Sequence, residues 1–388
     1  MSPALLDWVR RLSAVHDQVQ LWSGNVDDNL VDGVSLTRLT AYDKSSVLRR
    51  LTTWTQFTLK ATWRLLHRER HIPLFVVTNP PFMPIAAWVL HAFQGRRYIL
   101  LEWDIYPQIL VVMGLIDSGN IIYRLWRIGH AQALRHADVI ITIGNGLADE
   151  LRRIAGDAEL PVSVIPNWVD TDWIRPLPPG KNPFVREHQL EDKLVILYSG
   201  NLGSTHSIET ILEVARLMAD APDVIFLIIG EGSKRHIVES SIERGTTPNV
   251  RLLPLQPAHR LPLSLSSGHI GIVTLQKGYE CLSMPSKTYA MMAAGNAILG
   301  ISQPPNDLEA TIRRHECGAN FMPDEPVAIS VWIRKLMNDH SLLQTLQTRS
   351  RQAAVTEFST SRCVPLLNEK VLSMILGMDD PTISSTFL

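Results

Sequence analysis

The chain has 388 residues, of which 45% are hydrophobic and 19% charged, a globular composition that excludes collagen, coiled coil and wholesale disorder. Its length exceeds one small core and points to about two domains. With 37 basic residues against 38 acidic ones the formal net charge is -1, which argues against a global attraction to nucleic acid.

The first predicted element is a helix, ALLDWVRRLSAVHDQV, in which Asp7, Arg10 and Arg11 break any apolar run of the kind a secretory signal needs. QVQLWSG follows as a strand. Lys44–Arg70 then reads as a helix with seven basic residues (Lys44, Arg49, Arg50, Lys60, Arg64, Arg68, Arg70) and one acid, Glu69, among Leu48, Leu51, Trp54, Phe57, Trp63 and Leu66. The uncharged stretch from His71 to Gly95 is long enough to suggest a membrane span. Thr78-Asn79-Pro80-Pro81 divides it into a short strand and a short helix, and lipid would leave that broken backbone unsatisfied.

LFVVTN, YILLEW, DVIITIG and VSVIPN continue as buried strands rich in β-branched residues, separated by helical segments such as IIYRLWRIGHAQALRHA. Arg175-Pro-Leu-Pro-Pro-Gly-Lys-Asn-Pro183 holds four prolines in nine residues and reads as a linker. Beyond it LVILYSG, VIFLIIG, VRLLPL, IGIVTL and AILGIS repeat the strand–helix alternation. The expectation is α/β architecture: two doubly wound, Rossmann-like domains facing a cleft, with ligands at the carboxyl ends of the strands. The first would span 1–175 and the linker 176–190. The second would span 191–359, with a helix at about 360–378 packing back on the first. The three cysteines, Cys281, Cys317 and Cys363, show no CxxC or histidine pair, so a reducing cytoplasm is expected, with no metal site and no cofactor.

Chemistry is expected where strands end in small or polar residues. Gly200-Asn201-Leu202-Gly203-Ser204 precedes a helix, so backbone and helix N–H groups can approach a phosphate. Gly230-Glu231-Gly232-Ser233-Lys234 offers a glycine-walled pocket for a base or ribose, with Lys234 in reach of a phosphate. Either could equally be a plain turn. In the third run, from Gly278 through Glu280 and Pro285-Ser286-Lys287 to Gly295, a lysine opens a helix against its dipole, which a nearby anion would explain. Asn167 and Asp170, in IPNWVD, could simply cap the following turn.

In this order, IPNWVDTDWIRP, YSGNLGSTHSIETILEVA, IIGEGSK and PSKTYAMMAAG resemble the family 4 glycosyltransferases of the GT-B fold, in the WbuB-like or colanic-acid-type branch that builds surface polysaccharides. The resemblance runs from about residue 4 to about residue 375. It implies metal-independent, retaining transfer of a hexose from a nucleotide-diphosphate sugar to a saccharide acceptor, with polyprenyl diphosphate as the carrier. Gly200, Asn201 and Gly203 would line the diphosphate, Gly230, Glu231 and Gly232 the base, and Ser286 with Lys287 the phosphates, with Lys234 also binding the donor. Glu280, Lys287 and Asp104 would be catalytic, and Asn79, Trp103 and Asp104 would face the acceptor.

Departures from the family are visible. The two usual glutamate positions hold Leu282 and Ala290, and Asn201 and His206 stand where an arginine and a lysine are common. Trp103 stands for a histidine, and the usual first strand with its glycine loop is expected to be absent. The alternatives are a GT-B protein that binds nucleotide or a partner without turnover, and a nucleotide-sugar epimerase. The basic helix argues against the epimerase. It fits instead a cytoplasmic protein held peripherally on an anionic membrane surface.

Overall fold

The computed structural model describes residues 3–15, 19–25, 34–43, 45–68, 70–203 and 206–376. Lys44, Glu69, Ser204 and the end of the expected C-terminal helix lie outside them. The chain divides into two compact units, one of residues up to Pro166 together with those from Cys363 on, the other Asn167–Arg362.

In the first unit β1 (Gln20–Ser23) and β2 (Ser35–Arg38) form a parallel pair. A separate parallel sheet runs β3 (Leu74–Val77), β4 (Tyr98–Glu102), β5 (Val139–Thr142) and β6 (Val162–Val164), in that order. The run His71–Gly95 contributes β3 and the helix Met83–Gln94, and no helix among the described residues is long and apolar enough to cross a membrane. Every residue of β4 is buried, as helices on both faces of a parallel sheet require. The basic helix is Val47–Leu66, capped by Ser46, whose side chain accepts from the Arg49 amide. It does not present all its apolar residues to one surface. Trp54 and Phe57 are buried, whereas Leu48, Trp63 and Leu66 are exposed. The helix Thr360–Leu376 has its C-terminal part in this unit, where Trp8 Nε1 donates to Asn368 Oδ1 at 2.7 Å.

The second unit holds a six-stranded parallel sheet of β7 (Leu194–Ser199), β8 (Val224–Ile229), β9 (Val250–Leu253), β10 (Ile270–Thr274), β11 (Ala297–Ile301) and β12 (Gly318–Phe321). Its order is β12-β11-β10-β7-β8-β9, so strands are added in one direction from β7 and in the other from β10, all of them parallel. That is the topological switch point, where open α/β sheets place ligands beyond the carboxyl ends of their strands.

The proline-rich stretch expected as a linker packs into this unit. A 3-10 turn at Pro179–Lys181 and a helix at Pro183–Glu187 bury Phe184 and Val185. The fully buried Asn182 caps that helix through Phe184 N and donates to Leu263 O and Ser266 Oγ. Prolines suit the first turn of such short helices, so their density marked helix starts here and not a spacer. The Asn167–Asp170 segment also joins this unit. Val169 N donates to Phe358 O, and Asp170 Oδ1 accepts from the amides of Asp172 and Trp173, the turn-capping role its type allows.

Candidate functional site

The loops after β7 and β8 are built on each other. Gly200 N donates to Ile229 O, Leu202 N to Glu231 O, and Lys234 N to Leu202 O, so the strand ladder continues into the turns. This close approach dictates the residue type. A Cβ on Gly230 would stand 1.9 Å from Gly200 O, and Gly200 itself has φ +144, which side-chain-bearing residues rarely adopt. Asn201 folds its side chain over this seam: its Oδ1 would lie 2.8 Å from a Cβ on Gly232 and its Nδ2 2.5 Å from one on Gly203.

Lys287 is the first residue of the helix Lys287–Ala293, after Ser286, which is exposed and makes no side-chain cap bond. Part of the lysine reaches the surface, but its ammonium nitrogen is enclosed and, among the described residues, has no hydrogen-bond partner. It sits 3.9 Å from the centroid of the Tyr198 ring and would lie 3.6 Å from a Cβ on Gly200. Cation–π attraction offsets only part of the lost hydration. Burial accordingly draws the Lys287 pKa down to about 7.

Two further side chains complete this environment. Tyr198 Oη donates to Asn201 O at 2.6 Å, and burial holds its phenol well above the ordinary range. His206 Nδ1 lies 3.0 Å from Thr274 Oγ1. Burial first, and then the Lys287 charge, lower the His206 pKa to about 3, so it stays neutral at physiological pH. A cation poised near neutrality, two interlocked glycine turns and a neutral histidine therefore gather at the switch point. Such a set can bind an anion and stabilise charge that develops on a departing phosphate.

The other expected residues are held in local pairs. Lys234 Nζ donates to His206 O and to Glu209 Oε2 at 2.9 Å, so it borders this cluster with its charge shared in an ion pair. Glu231 pairs with Arg235 Nη1 at 3.0 Å on the exposed side. Glu280 turns one carboxylate oxygen back to accept from Gly278 N at 2.7 Å, while the other is buried without a partner. Leu282, at a position where the family carries a glutamate, is buried.

In the first unit, Asn79, Trp103 and Asp104 stand together after β3 and β4, where Trp103 N donates to Thr78 Oγ1. All three line one cavity of about 1090 Å³, shared with Trp22 of β1 and with Tyr42. Behind them lies a pair that sequence spacing did not suggest. His130 Nε2 meets Glu102 Oε1 at 3.2 Å, both fully or nearly fully buried. Among the described residues, no group of three His, Cys, Asp or Glu is placed to hold a metal.

A family model for the glycosyl transferase 4-like domain matches residues 1–168, and one for glycosyl transferases group 1 matches residues 181–353. The chain is 28% identical over 307 residues to "Probable glycosyltransferase WbjE" of Pseudomonas aeruginosa, covering 75% of this chain and 74% of that one. It is 26% identical over 262 residues, 66% of this chain and 64% of the other, to WcaI of Escherichia coli (strain K12), whose name places it among glycosyl transferases of colanic acid biosynthesis. The solved structure of Anabaena HepE in complex with UDP has the same fold, with a TM-score of 0.72 at 13% identity over 97% of both chains. Two matched domain families, in this order and over two α/β units that each hold a parallel sheet, make the chain a member of the family 4, GT-B glycosyltransferases.

Proposed function

We propose that the protein transfers a hexose from a nucleotide-diphosphate donor to a saccharide acceptor carried on a polyprenyl diphosphate, with retention and without a metal, in surface polysaccharide synthesis. The observation that carries this reading is the enclosed, unpartnered ammonium of Lys287 against the Gly200 turn. A nucleoside diphosphate would complete that environment. The solved HepE complex, which holds UDP, and the name of WcaI support the donor class and the pathway class.

In the proposed step the bond from the anomeric carbon to the donor phosphate oxygen breaks, and a bond to an acceptor hydroxyl oxygen forms on the same face. The hydroxyl proton passes to the departing diphosphate. Lys287 and the backbone N–H groups of the glycine turns stabilise the charge on that leaving group. Glu280, through its unpartnered oxygen, would hold a sugar hydroxyl. The first unit would present the acceptor along Asn79, Trp103 and Asp104, at the cytoplasmic face of the membrane.

A second reading, nucleotide binding without turnover, is favoured by the apolar Leu282 and Ala290. One experiment separates the two. Purified protein is screened for thermal stabilisation by nucleotide sugars, then incubated with the stabilising donor and short-chain polyprenyl-diphosphate saccharides. Product mass and the anomeric coupling in proton NMR report transfer and stereochemistry. Stabilisation with no product from any acceptor supports the second reading, and an inverted linkage rejects retention.

A further inference from the structure

The lysines of the second unit occupy different settings. Lys193 and Lys234 share their charge with Asp223 at 3.2 Å and with Glu209 at 2.9 Å. Lys181, Lys277 and Lys335 are exposed to water. Lys287 has neither kind of support. Its nitrogen is enclosed, has no hydrogen-bond partner among the described residues, and faces the Tyr198 ring at 3.9 Å. An ammonium group carries three donor hydrogens, and leaving all three unmet away from water favours release of a proton. The amine then holds a free lone pair, which makes it a nucleophile.

The groups packed around this amine leave the lone pair available. Tyr198 gives its phenolic hydrogen to Asn201 O and stays uncharged. His206 is neutral as well, its pKa lowered to about 3 by burial and then by the Lys287 charge. Lys234 Nζ donates to His206 O, with its own charge offset by Glu209. Part of the Lys287 side chain reaches the surface, so a small reagent has a way in.

A nucleophile alone selects no reagent, but the turn beside this one does. A Cβ on Gly200 would lie 3.6 Å from the lysine nitrogen, so the bare glycine leaves space at the amine. The amides that follow, Asn201 N and Gly203 N, donate to no acceptor among the described residues. Open backbone N–H groups at a glycine turn suit a phosphate. A molecule with a phosphate on one side of a reactive carbonyl and a short acyl group on the other would be held by the phosphate, its carbonyl at the amine.

We infer that Lys287 is a self-acylation site for small acyl phosphates, and that this modification switches the protein off. The neutral amine attacks the carbonyl carbon. A nitrogen–carbon bond forms as the bond from that carbon to the bridging phosphate oxygen breaks. The amine proton leaves with the phosphate as hydrogen phosphate, and an amide remains on Lys287. The amide is uncharged, so the cation on which the proposed donor site depends is lost. The inference rests on that reading of the turn as a phosphate site, but its test reads covalent mass at one residue, so each can fail without the other.

The full chain is incubated with acetyl phosphate at about pH 7.5, and acetylation is followed residue by residue by peptide mass spectrometry. Exposed Lys277 is the internal comparison. With its pKa at about 7, about three quarters of Lys287 is free amine at that pH, against about one in a thousand of a lysine in water. Lys287 should be acetylated at least about tenfold faster than Lys277. With the reagent far below saturation, its rate should climb up to about pH 7 and level off above, since it then follows titration of the free protein. Added inorganic phosphate should slow Lys287 and leave Lys277 unchanged. Acetylation of Lys287 no faster than that of Lys277, or unaffected by inorganic phosphate, overturns the inference. Protection by inorganic phosphate and not by UDP upholds the acylation and rejects the nucleotide reading, and protection by both upholds both.

Discussion

The Lys287 ammonium lies 3.9 Å from the centroid of the Tyr198 ring and, among the described residues, has no hydrogen-bond partner. Replacing Lys287 by alanine should therefore weaken nucleoside-diphosphate binding by about 2–3 kcal/mol, roughly 30- to 150-fold, and abolish transfer. The fold should be unharmed or firmer, because an enclosed charge is removed. Calorimetric UDP titration and a thermal melt check both halves, and unchanged affinity would remove Lys287 from the donor site.

That lysine also sets how binding responds to pH. Its folded pKa of about 7 lies below the ordinary 10.5, so between these values the unfolded chain holds more proton and stability rises with pH. Below pH 7 the destabilisation is present in full. A bound diphosphate raises the pKa again, so binding above pH 7 takes up a proton and weakens by up to about tenfold per pH unit. Titrations in buffers of different ionisation heat should show uptake in the native protein and none in Lys287→Met. Equal uptake in both would place the proton elsewhere.

The backbone approach of the two glycine turns predicts a sharp size limit. Gly230→Ala drives a methyl group into Gly200 O and should cost about 3 kcal/mol of stability together with donor binding. Gly180→Ala, with nothing within 4 Å of the new carbon, should be close to neutral. A Gly230→Ala protein that melts and binds like the native one would show that the turns can separate.

Glu280→Gln keeps an oxygen for Gly278 N but loses the charge. Turnover should fall on the order of 10²-fold with the melting temperature unchanged, as for removal of a contact made to the reacting sugar. Native turnover would make the residue a loop cap only.

Glu102 and His130 are mutually dependent. His130→Ala leaves a buried carboxylate without its partner and should destabilise the first unit by about 3 kcal/mol. Adding Glu102→Leu should recover part of that loss, and additive losses in the double variant would show that the pair is not coupled.

What the sequence makes legible here is what is local. Glycines after β7 and β8, and a lysine opening a helix, carry their meaning within a few residues of chain. What stayed hidden depends on residues far away in sequence. Lys234 looked free because its partner Glu209 is 25 positions back, and the prolines before Pro183 looked like a spacer because Asn182 finds its acceptors 81 and 84 positions on. The pairing of Glu102 with His130 joins a strand end to a helix residue 28 positions on, which no spacing rule encodes. β2 and β12 were missed because neither is a continuous apolar run, and one residue of β12 is a glycine.

The cavity behind Asn79 has a consequence for cooperativity. It is lined by both β1 and β3, and among the described residues no hydrogen-bonded ladder joins the β1–β2 pair to the four-stranded sheet. A side-chain tie holds the end of β2 to the basic helix, where Arg64 Nη1 donates to Arg38 O at 3.4 Å. The amides of the pair should exchange with solvent through openings that leave β4 and β5 closed, making the β1–β2 edge a foldon of its own. A ligand that fills the space would fuse the two exchange regimes into one, so slowed exchange at Leu21 and Trp22 would report occupancy of the first unit before any chemistry takes place.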